Sequence, residues 1–509
     1  MGKELGSLKA MHVWSEVPEE QANQVLGTRW VFAIKRDPEG EILKYKARVV
    51  VQGHRQIQGL NFDETFAPTP TFTSLRCLFA IASARRWDVQ TFDVATAYLH
   101  SLLEEEVFVK APPGIFLLPG KVFKLKKALY GLKQAGRCWW LHIRNILEKA
   151  GFQANEEDPS TYTYSQGKDK AILWMHVDDG VITASSAHLM DELKCVLSRE
   201  LKLKWDDGIH SIVGIEVRRF EDKFALCQPA LVKKLCDLNP SNITAGQPLP
   251  LMDLISEKAS KIDKAYLSRI GMLLYVAQAT RPDIMFSVNY LARFSMNTTP
   301  KHWAALEHLI SYMRSTTNKA LIIDLAGKED MLKVYVDVNW GGKGSRSQHG
   351  FISFLMGSPV AWNSKRQTCV ASSTCQAEYM ALSFAARAGM WISQSITPIT
   401  GRIKPVLLSD NQSAIKIAND SGSRKNSRHI KREFHLVNEI IVNKEVTISW
   451  ITSKDQKADI FTKKQPKVKV DEFCKELLDW MFCGGECNGK REKVPEHDRK
   501  LVTQNITTI

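Results

Sequence analysis

Apolar and β-branched residues cluster in short strand-like runs at residues 30–36, 46–52 and 171–175, while residues 74–86 and 138–150 carry helical patterns. Short polar turns join these segments, so residues 14–238 have an α+β texture. Residues 240–325 open on a Pro/Ser-containing linker and become helical at 266–280 and 284–294. Between those two helices stands Arg281-Pro282-Asp283, where Pro282 must end the first because it lacks an N–H and clashes with the preceding turn. From residue 332 the pattern runs strand (332–338), strand (350–356), strand (358–363), helix (373–395), strand (406–409), helix (413–419), strand (447–451) and helix (456–462), which makes an α/β domain by itself. After Lys464 a charged tail carries one amphipathic patch at 473–482, and past Gly484 its polarity predicts disorder.

These textures divide the chain into residues 1–240, 241–330, 331–465 and 466–509. A length of 509 residues agrees, since domains run to roughly 100–200 residues each. With 44% hydrophobic and 24% charged residues and no fixed repeat, neither disorder nor a solenoid explains it. The 69 basic residues outnumber the 55 acidic ones, a net charge of +14 that attracts a polyanion, nucleic acid first. The plainer alternative is a basic soluble protein. Ten cysteines scattered from Cys77 to Cys487 read as reduced thiols of a cell interior. The start lacks a signal peptide's apolar core, and no run of about 18 apolar residues occurs, so neither secretion nor a membrane span is expected.

Two segments carry acids in apolar surroundings. AILWMHVDDGVITAS holds Asp178 and Asp179 between β-rich arms, and its Asp-Gly pair predicts a hairpin tip. Of the two acids, alternation along the strand aims Asp178 at a common site. WDVQTFDVATAYL sets Asp93 between Phe92 and Val94, a costly place for a carboxylate unless it is paired or binds a metal. Acids on two strands can converge on divalent cations for phosphoryl transfer, and each alone reads as an ordinary turn or cap residue.

The phrases KYKARVVVQGHRQIQGLNFDETFAPT, FDVATAYLH, LKKALYGLKQAGRCWW, MHVDDG and VGIEVRR, in that order, resemble the reverse transcriptase of copia-type long-terminal-repeat retrotransposons. YLSRIGMLLYVAQATRPDIMFSVNYLARF and KHWAALEHLISYMRST look like that family's thumb-to-connection region, so the resemblance covers roughly residues 14–464. It implies a right-hand polymerase of fingers, palm and thumb, in which Asp93 and Asp178 hold two magnesium ions with Asp179 beside them. Manganese can substitute. It also implies that Tyr98 stands against the nucleotide sugar, that Lys46 and Arg48 meet the triphosphate, and that Gln134 lies against the incoming nucleotide. The plain readings are a core tyrosine, a solvated strand face and a surface glutamine. His176 departs from the family, which places an aromatic, usually tyrosine, before Val-Asp-Asp.

In the last domain Asp337, Glu378, Asp410 and Asp459 come from four elements and look like a metal cage. Singly each reads as a cap, turn or exposed helical residue. Together with SKRQTCVASSTCQAEYMAL and SRHIKREFHLVNE, they resemble the α/β ribonuclease H-like domain that follows the copia-type polymerase. The resemblance implies two magnesium ions there as well. Asn339 stands where the family often has a second aspartate. His429, in the basic segment RKNSRHIKR, is a candidate for phosphate contact or product release. Cys483, Cys487 and His497 fit no standard zinc spacing. Trp139 and Trp140 read as a core and interface pair.

The expected activity is RNA-directed DNA polymerisation with ribonuclease H action on RNA–DNA hybrids. Its partners would be RNA template, DNA primer, hybrid duplex and deoxynucleoside triphosphates, in cytoplasmic particles or the nucleus, with no membrane. Capsid, protease and integrase regions are absent from this chain, which raises a second expectation, a decayed copy that binds nucleic acid without catalysis. A third, a nuclease with a silent polymerase, is motivated by His176.

Overall fold

The computed structural model describes residues 1–36, 41–220, 223–240, 243–250, 262–324, 331–342, 344–419 and 436–480. His429, Cys483, Cys487 and His497 lie outside the described residues.

The fingers are built on an antiparallel ribbon of Thr28–Arg36 and Ile42–Val51, with Val31 opposite Arg48 and Ala33 opposite Lys46. Opposed residues share a face, so Lys46 and Arg48 project from the same side. Beside the ribbon, a four-stranded sheet ordered Trp14–Pro18, Lys121–Lys127, Leu102–Val109, Val25–Leu26 closes over Leu8, Val49, Leu99, Phe123 and Leu129.

The palm is a six-stranded sheet ordered Leu203–Asp206, Asp88–Val94, Asp179–Ala184, Asp169–His176, Thr161–Gln166, Gln153–Ala154. The helix Phe72–Arg85 begins where the Thr71 hydroxyl accepts the Ser74 N–H at 3.1 Å and ends at Arg86, left-handed with φ 56°. Its apolar side chains enter a core with Val89, Ile172 and Trp174. The helices Ala135–Lys149 and Ala187–Glu200 contribute Trp139, Ile143, Leu147 and Leu193 to a separate cluster with Leu173 and Ile182. Strand alternation sends Leu173 to one core and Trp174 to the other.

Three helices, Lys264–Ala279, Met285–Ala292 and Pro300–Ser315, follow, the first two separated at Pro282 as expected. After these helices the connection also holds a strand, Lys319–Ile323, joined to Lys223–Cys227 on one side and Leu478–Trp480 on the other. So short an apolar run has no decisive period. The tail reading is corrected: Lys467–Leu477 is a helix that buries Val470, Phe473, Cys474 and Leu477 before the chain completes that sheet. Its apolar stripe meets both near and distant chain: Phe473 packs edge-on against Phe461, and Cys474 reaches Tyr312, 162 positions earlier.

The last domain is a five-stranded sheet ordered Ser358–Arg366, Gln348–Leu355, Leu332–Asn339, Pro405–Ser409, Thr447–Trp450. Its first three strands are antiparallel and its last three parallel, with the helix Thr374–Thr400 packed across it. Residues 456–462, expected as a helix, form a 3-10 helix over Lys457–Phe461. The whole is a right-hand polymerase followed by a helical connection and a ribonuclease H-like domain.

The polymerase and ribonuclease H-like domains share one continuous core. Within it the buried Arg76 of the palm helix donates to Gln278 O, Ala279 O and Val360 O at 2.7–2.8 Å and lies 3.9 Å over the Trp362 ring. Among the described residues no helix is long and apolar enough to cross a membrane.

Candidate active sites

The palm register sets Asp179 directly opposite Asp93 and Gly180 opposite Phe92, so the two carboxylates leave one face of the sheet near its end. Asp93 is exposed between buried Phe92 and Val94. The expected buried acid is thus corrected: alternation puts its neighbours in the core and the carboxylate in solvent. The turn is also not at Asp-Gly. His176 pairs with Asp179, leaving Val177 and Asp178 as the two turn residues. Val177 has φ 57°, a conformation that β-branched residues rarely adopt. Trp139 Nε1 donates to Val177 O at 2.6 Å and Val94 N donates to Asp178 O at 2.7 Å, so the strained turn is held from two sides.

Asp178 and Asp179 open onto a cleft of about 540 Å³ whose wall includes Arg48, Tyr98, Tyr130 and His176. Tyr98 lies on the short turn Ala97–His100, edge-on to Tyr130 with centroids 5.2 Å apart. Burial, then the charge of Asp178, raises the Tyr98 hydroxyl pKa, which keeps it protonated. The Arg48 guanidinium stands 4.9 Å over Tyr130, and its Nε is buried without a hydrogen-bond partner. Lys46 lies on the same ribbon face but not on the cleft wall, and both cations oppose the burial that raises the pKa of Glu4. The His176 ring lies 6.0 Å from that of Trp174, with planes 15° apart.

Gln134 is neither a surface residue nor a cleft residue. It is 1% exposed, and its amide is taken up by Gln56 Nε2 at 2.9 Å, Asn61 O at 2.8 Å and Glu105 Oε2 at 3.3 Å. It braces the loop under the fingers. Trp140, less buried than Trp139, donates to Pro159 O at 3.4 Å. Sequence reasoning missed Tyr130, Val213 and Tyr275. Tyr275 comes from the first connection helix, and its hydroxyl donates to the carbonyl of Val213 at the tip of a hairpin lining the cleft. Tyr130 lies inside a quoted phrase, whereas nothing local links Tyr275 to the palm.

In the last domain the ligand atoms of Asp337, Glu378 and Asp410 lie within 4.8 Å of one another. Asp337 is on the central strand, Glu378 near the start of the long helix and Asp410 just past its strand. Burial and the neighbouring acids push Asp337 up to about 6, although Thr462 Oγ1 donates to it at 2.8 Å. They push Glu378 up to about 9, and Glu378 Oε2 is buried without a partner. Asp410 accepts from Ser453 Oγ at 2.7 Å. Three hard oxygen donors, mutually repelling and one of them orphaned, fit a divalent cation such as magnesium.

Asp459, expected as the fourth ligand, stands outside this group. Lys463 is 2.5 Å and Lys469 3.1 Å from its carboxylate, and Gln465 Nε2 donates to it at 2.9 Å. Burial raises its pKa, but the two lysines prevail and hold it below the usual range. Asn339 is exposed at the strand end. Thr462 and Lys463 were not singled out in the sequence.

Residues 11–250 match the reverse transcriptase (RNA-dependent DNA polymerase) family. The chain is 31% identical over 500 residues to the retrovirus-related Pol polyprotein from transposon TNT 1-94 of Nicotiana tabacum, covering 94% of this chain and 37% of that protein. It is 30% identical over 491 residues to the Pol polyprotein from transposon RE1 of Arabidopsis thaliana, covering 94% and 33%. The chain thus spans about a third of the length of these curated relatives. The foamy viral protease-reverse transcriptase in complex with double-stranded DNA aligns at TM-score 0.49 and 12% identity, covering 88% of this chain and 68% of that one.

Proposed function

We propose that this chain, which belongs to the copia-type retrotransposon polyproteins and carries a reverse transcriptase domain, copies an RNA template into DNA and cuts the RNA strand of the resulting hybrid. The observation that carries the reading is the convergence of Arg48 from the fingers, Tyr98 after one palm strand and Asp178 and Asp179 from the palm hairpin on one cleft.

At the polymerase site Asp93, Asp178 and Asp179 would hold the metal, and at the nuclease site Asp337, Glu378 and Asp410 would. In both, magnesium or manganese would supply charge neutralisation for the phosphate and a more acidic attacking hydroxyl or water. Arg48, which lines the cleft, would meet the triphosphate as a fixed cation, with Lys46 two residues away on the same face of the ribbon. The Tyr98 ring limits the space beside the sugar. Thr462 orients Asp337 by its hydrogen bond, and the strained Val177 turn fixes the aim of Asp178.

The test is primer extension on poly(rA) together with cleavage of a labelled RNA–DNA hybrid. Asp178→Asn should abolish extension and spare cleavage, and Glu378→Gln should do the reverse. A protein that cuts but does not extend in magnesium or manganese would leave the nuclease alone and make His176 the first residue to revert. Binding without either activity would favour a decayed copy.

A further inference from the structure

Two residues that line the polymerase cleft share an unusual backbone. Val177 and Val213 are both left-handed, with φ 57° and 44°, and both are β-branched. For such a residue this conformation is an outlier, and outliers concentrate at functional sites because the surrounding structure must hold them there. Two hydrogen bonds hold the Val177 turn. Val213 has a different support.

The hairpin that ends in Val213 is thin. Ser211 pairs with Glu216 and Ile212 with Ile215, which leaves Val213 and Gly214 as the two turn residues, with φ 44° and 75°. Positive φ at both positions is the primed turn that asparagine followed by glycine adopts most readily. Gly214 suits its place and Val213 does not. The strand leading into the turn, Ser211–Ile212, is two residues long and lies at the edge of its sheet, so among the described residues it pairs on one side only. What reaches the turn is the Tyr275 hydroxyl, which donates to the Val213 carbonyl. Burial raises the pKa of that hydroxyl and keeps it a donor. The ring behind it is fixed in turn, edge-on to Phe72 at the start of the palm helix, with centroids 5.4 Å apart and planes 75° apart. Tyr275 belongs to the helix Lys264–Ala279, beyond the residues 11–250 that match the polymerase family.

We propose that Tyr275 is a positioning residue of the polymerase site: its hydroxyl pins the strained Val213-Gly214 turn against the cleft, so that the connection helix completes a wall that the hairpin cannot hold by itself. The inference rests on the polymerase reading above. The turn stands in the same cleft as Asp178 and Asp179, and a wall that shifts there changes how the reacting groups line up with the acids, on which rate depends steeply.

The experiment removes the hydroxyl in two backgrounds. In the natural turn Tyr275→Phe keeps the ring against Phe72; it should lower kcat for primer extension roughly tenfold, spare hybrid cleavage and speed amide hydrogen exchange over residues 211–217. Val213→Asn creates an Asn-Gly turn that takes the primed geometry unaided, and in that background the same loss of hydroxyl should cost at most about twofold and leave exchange unchanged. Comparing the two losses cancels whatever Val213→Asn does alone. An equal loss in both backgrounds would mean that the hydroxyl touches substrate itself and would overturn the proposal, as would full extension with unchanged exchange in Tyr275→Phe. The polymerase reading fails separately, if the unmodified chain extends no primer in magnesium or manganese; hydrogen exchange then still decides whether Tyr275 pins the turn.

Discussion

The Phe92 ring lies across the backbone of Gly180, its partner in the palm register: a Cβ at position 180 would stand 2.3 Å from Phe92 Cζ. The Asp-Gly pair is therefore a packing requirement of two adjacent acid-bearing strands. Gly180→Ala should push Asp93 and Asp179 apart, cost about 1–3 kcal/mol by overpacking and remove most primer extension. Hybrid cleavage in the same preparation should persist. Full extension by this variant would show that the strand spacing tolerates adjustment.

Arg76 joins three carbonyls from the connection helix and the nuclease sheet to the palm helix. Arg76→Met would leave these buried acceptors without donors, at a cost of at least about 3 kcal/mol. Arg76→Lys should rescue little, because an ammonium lacks the planar fork and stacks poorly on Trp362. Urea denaturation of both variants checks this, and equal stability of the lysine variant and the unmodified chain would contradict it.

Asp337 and Glu378 make metal-free stability fall in alkali. Their folded pKa values are raised, to about 6 for Asp337 and about 9 for Glu378, so the folded state keeps protons that the unfolded state releases. Stability is then greatest below the unfolded carboxylate range and is lost as pH rises towards 9. With a chelator present, the loss between pH 6 and 9 should be about 4 kcal/mol, nearly all of it from Glu378. Glu378→Gln should flatten it, and added magnesium should offset it in the unmodified chain only. A flat profile in the unmodified chain would refute the burial of an uncompensated charge.

His349 works from the acid side. It is 7% exposed and stacked on Phe384 at 4.4 Å with neither ring nitrogen hydrogen-bonded, and burial, then Lys365 and Arg387, pulls its pKa down to about 4. The unfolded chain takes up the proton first, so stability is lost as pH falls from the ordinary histidine range towards 4. His349→Phe should keep the stack, shrink that loss and add about 1 kcal/mol near neutral pH by removing two unpaired buried nitrogens. A denaturation midpoint lower than that of the unmodified chain would assign His349 a partner in solution.

Much of the architecture was legible along the chain because strand and helix periods are local. Residues 332–338, 350–356 and 406–409 appear as strands nearly where the pattern puts them, and Pro282 divides the connection helices for a reason internal to proline. Asp337 interrupting an apolar strand, Asp410 following one and Glu378 on the long helix were read as a cage with Asp459, and the first three do come together. What a side chain meets is another matter. Asp459 is claimed by Lys463 and Lys469, Gln134 by Gln56 and the Asn61 carbonyl, and Cys474 of the 467–477 helix by Tyr312 from the connection. Periodicity determines the direction in which a residue leaves its own backbone. The group that receives it arrives from distant chain, as Val360 reaches Arg76 across 284 positions, and only the tertiary packing decides that encounter.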